Sequence, residues 1–481
     1  MTDPRDPLGL RADAPLLDGW LRFREGERLP WTTPGHKGRT DLVGEIVESD
    51  VPLYGGVDTV RSHHNRVTDA ESRLAALWGA DWARISVGGS THGNQTLCLA
   101  VGRPGDSIVV NRNLHRSLLS GLVLAGLNPV WVTPDIDPRL GLPMGLPPGR
   151  VDEALTRHPD AVAVFLVEPS YIGTLSDVAA HADVAHAHDV PLVIDQAWGA
   201  HFGFHPDLPQ HALALGADAL VTSAHKTLPA YTQSAYVLAN TQRLDVDRLD
   251  RAFDTLHTTS PSGTIAASAD AARAYLARDG RAATGRLVEV AQRARARLRT
   301  EVPGLVVVDP DLLPAGVQVD PAKVVLSLAG TGADGLLVEE DLIASGHPVE
   351  MADRDTIVPL VTVADDDAAV DRFVDVIAAA IDQHRGAPRV VVPSVSWTVE
   401  PQTVMPPRDA FFARHETVAM SAAVGRVCAE LVAPYPPGIP VLAPGERVTE
   451  ASVAGLRVAH AAGIQVRYAA DPTLETLHVV A

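Results

Sequence analysis

Four continuous apolar runs of strand length, Ala161–Val167, Val190–Ile194, Ala219–Thr222 and Ala235–Leu238, constrain this chain more than any other feature. A strand with one wet face alternates apolar and polar residues; a strand that is apolar throughout is covered on both faces. Helical periodicity separates the apolar segments. Helices are expected over Thr68–Gly79, with Thr68 as N-cap and Glu71 three residues on, and over Thr91–Val101, Leu114–Ala125 and Ser176–His188. Shorter strands are expected at Arg84–Val87, Ser107–Val110 and Pro129–Val132. Alternating strands and helices of this kind give an α/β fold with a mainly parallel sheet covered by helices.

The organisation changes further along. Residues 1–30 read as an N-terminal arm with a short helix at Leu16–Arg24, and 31–275 as the large domain. A long helical stretch, 264–300, leads into a smaller α+β domain at 276–390. That domain is expected to hold strands at Leu305–Val308 and Ile357–Val363 and helices at Gly335–Ser345 and Asp367–His384. Residues 391–481 form a C-terminal unit with a Pro-dense centre, then a helix and a terminal strand.

Charge and composition exclude several classes. Forty Lys and Arg stand against 59 Asp and Glu, for a net charge of −19. A basic footprint for nucleic acid is therefore missing. No apolar run approaches the ~20 residues needed to cross a bilayer. The charged, Pro-rich N-terminus reads as neither signal peptide nor anchor, so a cytoplasmic protein is expected. Two distant cysteines, Cys98 and Cys428, build no disulfide framework, and no metal-ligand spacing is present. His181, His186 and His188 read as solvated, and His63-His64 has no ligand geometry.

Only three of the 481 residues are lysine: Lys37, Lys226 and Lys323. Lys226 follows the apolar strand directly, in Ser223-Ala-His-Lys226. A lysine amine at a strand end, beside hydrogen-bonding groups, is placed to form a Schiff base with a carbonyl, including the aldehyde of pyridoxal phosphate (PLP). Asp195 ends the strand 31 residues earlier, about one βαβ unit, so the two belong on neighbouring strand ends. A carboxylate there could keep a pyridine nitrogen protonated. Gly88-Gly-Ser-Thr-His-Gly-Asn94 lies between a strand and a helix start, where a phosphate cup and a plain N-cap are both possible and compatible. His115, at a strand-to-helix turn, could stack on a flat ring or simply cap the helix.

These segments together resemble the Orn/Lys/Arg decarboxylase family of PLP enzymes, in its short form. The matching stretches are Thr33-Pro-Gly-His-Lys37, Gly56-Val-Asp58, Gly88–Asn94, Arg112-Asn-Leu-His-Arg-Ser117, Asp195-Gln-Ala-Trp-Gly-Ala-His201, Ser223–Lys226 with Thr232-Gln233, Thr258-Thr-Ser-Pro-Ser262, and Tyr435-Pro-Pro-Gly-Ile-Pro440 with Pro444-Gly-Glu446. The resemblance implies the three-layer, aspartate-aminotransferase-like α/β fold, with a smaller α+β domain and a C-terminal family domain. It implies that Lys226 carries PLP, Asp195 pairs with the pyridine nitrogen, His115 stacks on one ring face and Ala197 packs on the other. Ser90, Thr91, His92, Ser223 and His225 are implied around the phosphate, with His225 also near the chemistry. Thr258 and Ser260 would reach the cofactor of a second subunit in a homodimer whose active sites form at the interface. Glu350, Trp198 and His36 are implied on the substrate side, Glu350 facing the distal cation of a basic amino acid. Two stretches depart from the family pattern. Asp195-Gln-Ala-Trp198 stands where short members read Asp-Glu-Ala-His, and Glu168-Pro-Ser-Tyr171 where a Pro-Thr-Tyr pattern is usual. The expected activity is decarboxylation of arginine or lysine, with ornithine behind them. An aminotransferase or lyase on the same fold, and a catalytically silent regulator of a related decarboxylase, are the other readings.

Overall fold

The computed structural model describes residues 3–25, 31–51, 65–314, 317–391, 395–435, 438–461 and 463–481. The Gly56–Asp58 stretch, His63-His64, and Pro436 and Pro437 of the Pro-dense centre lie outside the described residues. The chain divides into two compact units, residues 1–100 with 193–285, and residues 101–192 with 286–481.

In the first unit, residues 193–195 of the strand Leu192–Asp195 pair in parallel with the strand Ala219–Ser223, Asp195 opposite Val221. Ala235–Ala239 runs antiparallel to Ala219–Ser223 on one side and to Trp82–Ser86 on the other. Every residue of Ala219–Ser223 and Ala235–Ala239 is buried, as their mainly apolar make-up requires. The helix Arg66–Trp78 begins two residues before the expected Thr68. Its N-cap is Asn65, whose side chain accepts from the Thr68 amide at 2.8 Å. Asparagine caps at least as well as threonine, and here it lies one turn earlier. Gly79 closes the helix in the left-handed conformation. Trp78 then packs on Tyr236 and Phe204, with ring centroids 5.4 and 5.2 Å apart.

In the second unit, Ser107–Asn111 pairs in parallel with both Asn128–Val132 and Ala161–Val167. Burial of Val110, Phe165 and Leu166 removes each of these side chains from water, worth about 1.5–3 kcal/mol apiece. The short strands Val306–Val307, Leu326–Ser327, Thr356–Val358 and Met351–Ala352 form an antiparallel sheet. The helices Gly335–Ala344 and Asp367–Gln383 cover it, with Val324, Leu326, Ile357 and Val374 at its centre. A further core around Val432, Val448, Leu456 and Val479 gathers the C-terminal residues. One helix of 39 residues, Gly263–Glu301, occupies the expected long helical stretch. Among the described residues no helix is long and apolar enough to cross a membrane.

Of the three histidines on the helix Val178–Ala187 and its C-cap, one is not solvated. His181 is fully buried, its Nε2 3.0 Å from the Leu146 carbonyl, and burial drives its pKa down to about 4. Burial keeps this imidazole neutral, and the Leu146 carbonyl, which pulls the other way, gives its Nε2 a partner. His188 instead contacts the Asp152 carboxylate at 2.8 Å.

Candidate active site

The first unit gathers the candidate residues around the carboxyl ends of two parallel strands. The helix Gly89–Val101 can lie close against Ala219–Ser223 because position 93 has no side chain. A Cβ on Gly93 would fall 2.4 Å from Val221 Cγ2 and 3.0 Å from Val237 Cγ2. Gly89 opens the helix at φ +68°, a conformation that L side chains rarely adopt, and its amide donates to the Gln233 carbonyl at 2.8 Å.

Close approach brings one helix face onto the strand ends. Ser90 and Asn94, four residues apart, lie one above the other on that face. The Ser90 and Ser223 hydroxyls are 2.7 Å apart, and Asn94 Nδ2 donates to Asp195 Oδ2 at 2.7 Å. Asp195 Oδ1 accepts from the Ala197 amide at 3.1 Å. Asp195 is 1% exposed, so its charge has been taken out of water. That burial pushes its pKa up, against the opposing pull of the Asn94 hydrogen bond, the Lys226 charge and the Ala197 amide. A buried carboxylate with this balance is stabilised by a cation placed against it.

Lys226 follows Ala219–Ser223 on the short helix Ala224–Thr227. Its Nζ sits 3.9 Å from the centroid of the Trp198 ring, and Trp198 is itself buried. The indole attracts the ammonium and shelters it from water. His225 Nδ1 is 2.8 Å from the Ser234 carbonyl, which can only accept, so Nδ1 carries the proton and Nε2 is the basic nitrogen of the neutral ring. Ser90, Ser223, Asp195, Ala197, Trp198, His225 and Lys226 are thus brought together.

Other candidates stand apart from this cluster. His92 points into the core: Nδ1 meets Ser86 Oγ at 3.0 Å, Nε2 meets the Phe253 carbonyl at 3.0 Å, and the ring packs on Phe253. Thr91 is exposed at the start of the same helix, and Thr258 and Ser260 are exposed in the loop before Gly263–Glu301. His36 is half-buried, with Nε2 3.1 Å from Asp50 and Nδ1 accepting from the Gly38 amide at 2.9 Å. Asn94 has no role in the family resemblance; its spacing of four from Ser90 is the signal that places it on the same face.

His115, Glu350 and the Glu168 departure belong to the second unit. His115 caps the helix Arg116–Ala125, its Nδ1 accepting from the Ser117 amide at 3.2 Å. The Tyr171 hydroxyl donates to Glu350 Oε1 at 2.8 Å, and Lys323 Nζ lies 5.7 Å from the Tyr171 ring centroid. Burial, and then the Glu350 charge, push the Tyr171 pKa up, so the phenol stays a donor.

Glu168 is buried, and its two oxygens accept from the Ser176 amide, at 2.9 Å, and from the Ser176 hydroxyl. Burial raises its pKa from 4.5 to about 7, despite those two hydrogen bonds. Between these values the folded chain holds a proton that the unfolded chain has released, so the Glu168 contribution to stability falls as pH rises through this window. Glu168→Gln removes the dependence. Relative to the parent, the variant is expected to gain up to about 3 kcal/mol between about pH 5 and about pH 8. Urea midpoints measured across that range check it; a difference that stays flat contradicts it.

Comparison with known proteins decides the family. Residues 14–367 match the Orn/Lys/Arg decarboxylase major domain and residues 394–463 the C-terminal domain of the same family. The chain belongs to the Orn/Lys/Arg decarboxylase family. It is 33% identical to an arginine decarboxylase of Halalkalibacterium halodurans, covering 98% of this chain and 99% of that one. It is 32% identical to an arginine decarboxylase of Bacillus subtilis, over 97% and 98% of the two chains. A lysine decarboxylase of Pseudomonas aeruginosa is 24% identical, with 91% of this chain covering 74% of that protein. The fold matches the crystal structure of the Francisella novicida lysine decarboxylase at a TM-score of 0.83, with 20% identity, over 97% of this chain and 81% of that one. A serine palmitoyltransferase from Sphingomonas wittichii aligns at 0.56 over 78% of this chain, so the architecture is the mainly parallel α/β fold of PLP enzymes of type I. As a member of this family the chain is an amino-acid decarboxylase, and the expected fold class holds.

Proposed function

We propose that this enzyme decarboxylates L-arginine, with PLP held on Lys226. The observation that carries the proposal is the buried Asp195 carboxylate on the strand parallel and adjacent to the one that presents Lys226. The residues fit PLP. A carboxylate destabilised by burial is matched by a protonated pyridine nitrogen, and the paired Ser90 and Ser223 hydroxyls beside a helix N-terminus suit a phosphate. When bound, PLP supplies an electron sink for the electron pair that departing CO2 leaves on Cα.

The chain's own residues do the rest. Asp195, oriented by Asn94 and the Ala197 amide, would hold a proton on the ring nitrogen. Trp198 keeps water from the Lys226 amine, and Lys226 as its ammonium, or His225 once Nε2 has taken up a proton, would return a proton to Cα. Ala197 and His115 would hold the bound ring between them. Glu350, oriented by the Tyr171 hydroxyl, receives the distal cation of the substrate. A planar guanidinium engages such a carboxylate through two hydrogen bonds, which an ammonium cannot match. Arginine over lysine is also supported by three relatives of near-equal length, 30–33% identical, that are named arginine decarboxylases. The working unit in this proposal is a homodimer, and the exposed Thr258 and Ser260 are available to a second copy.

A panel of L-arginine, L-lysine and L-ornithine, read as amine product with and without an added oxo acid, tests this. Agmatine from arginine is expected, at a kcat/KM at least about 10-fold above that for cadaverine or putrescine formation. Preference for lysine overturns the substrate assignment. Product that requires the oxo acid overturns decarboxylation.

A further inference from the structure

We infer that Glu446 is a positioning residue for His115, acting through Arg112; this rests on the reading of His115 as the ring-stacking residue. Two residues of the family-like stretches, Arg112 in Arg112–Ser117 and Glu446 in Pro444-Gly-Glu446, have no assigned role in the reaction, yet they meet. Arg112 and Glu446, 334 positions apart, form a two-pronged ion pair: Nη1 to Oε1 at 2.5 Å and Nη2 to Oε2 at 3.0 Å. Their side chains are 3% and 2% exposed. Stripping water from two full charges offsets most of their attraction, and apolar residues of equal volume would often hold a fold as well. What the pair does specify is geometry.

Both partners are fixed independently. The Arg112 amide donates to the Val132 carbonyl at 2.7 Å, and its guanidinium lies 4.8 Å from the Trp131 ring centroid. Glu446 Oε2 also accepts from the Ala443 amide at 2.9 Å, and the Glu446 carbonyl accepts from the Cys428 amide at 2.7 Å. From Arg112 the chain needs only three residues to reach His115, where the cap to Ser117 takes hold, with Nδ1 2.8 Å from the hydroxyl. His115 itself is exposed, and the cap holds its ring through Nδ1. The turn is aimed by its two ends, the Glu446 clamp at 112 and the helix cap at 115. The C-terminal domain thereby sets the direction of a side chain that serves the cofactor.

The test is a double-mutant cycle on the holoenzyme, Glu446→Gln and His115→Ala singly and together, read as PLP affinity by absorbance titration and as kcat. Glu446→Gln keeps the shape and removes the charge; a loss of about 10-fold or more in PLP affinity or kcat is expected, since small misplacements are costly at a reacting centre. The effects should not multiply: in the His115→Ala background, Glu446→Gln should add almost nothing. Multiplying effects, or unchanged affinity and kcat in Glu446→Gln, overturn the inference. His115→Ala with parental affinity and kcat instead sinks the stacking reading, and this inference with it. Should Glu446→Gln not fold, Arg112→Lys carries the same cycle, because it keeps the charge and loses the fork.

Discussion

Replacing Lys226 with alanine is expected to abolish the visible absorbance of the enzyme and to lower turnover by at least about 10⁴-fold, the scale on which removing a covalent group acts. The amine is the bond to the cofactor and, in the proposed reaction, a source of the proton delivered to Cα. Lys226→Arg should fail as completely. The guanidinium keeps its proton and cannot make that bond, although it carries the same charge over Trp198. The charge at position 226 is therefore separated from its chemistry by one substitution. Spectra and single-turnover rates of the two variants check this, and an active, yellow Lys226→Ala protein would end the account. The fold should survive, because Lys226 is half-exposed on a four-residue helix and supports no core.

The second large effect is expected at Asp195. Asp195→Asn preserves volume but removes the negative charge that would hold a proton on the pyridine nitrogen. Preorganised electrostatics of this kind are worth about 10²–10³-fold per group, and kcat should fall by at least that much. The amide also has one acceptor where the carboxylate has two, so it cannot serve both Asn94 Nδ2 and the Ala197 amide. The lost hydrogen bond costs about 1 kcal/mol, and relief from burying a charge offsets it. The melting midpoint should therefore move by only a few degrees while kcat collapses. Parallel measurement of kcat and thermal midpoint distinguishes this from a folding defect; a variant with parental kcat removes Asp195 from the reaction.

Much of this site was legible because chain-local rules place it. Strand runs with no polar alternation fixed Ala219–Ser223 and Leu192–Asp195 as interior strands, and a parallel pair put Asp195 and Lys226 at adjacent ends. Ser90 and Ser223 came from the glycine-rich turn and the strand end, and they meet at 2.7 Å. The rest depends on which way a side chain turns. His92 sits in a motif rich in donors, yet its helix position faces Phe253 rather than the strand ends. His181 reads as solvated in the sequence because no carboxylate partner in a metal-like pattern accompanies it; the helix instead turns His181 inward, onto the Leu146 carbonyl. Asn65 rather than Thr68 caps its helix, because both are good caps and the sequence does not say which residue enters the first turn. The Arg112–Glu446 pair joins residues 334 positions apart, which no periodicity within either segment encodes.

The scarcity of lysine makes the central claim unusually direct to test. Borohydride reduction of the PLP-loaded protein fixes the cofactor to its amine, and peptide mass spectrometry then has three lysines to choose among: Lys37, Lys226 and Lys323. The account predicts the reduced pyridoxyl group on the peptide carrying Lys226 alone, at close to one per chain. The group on Lys37 or Lys323, or on no lysine, contradicts it.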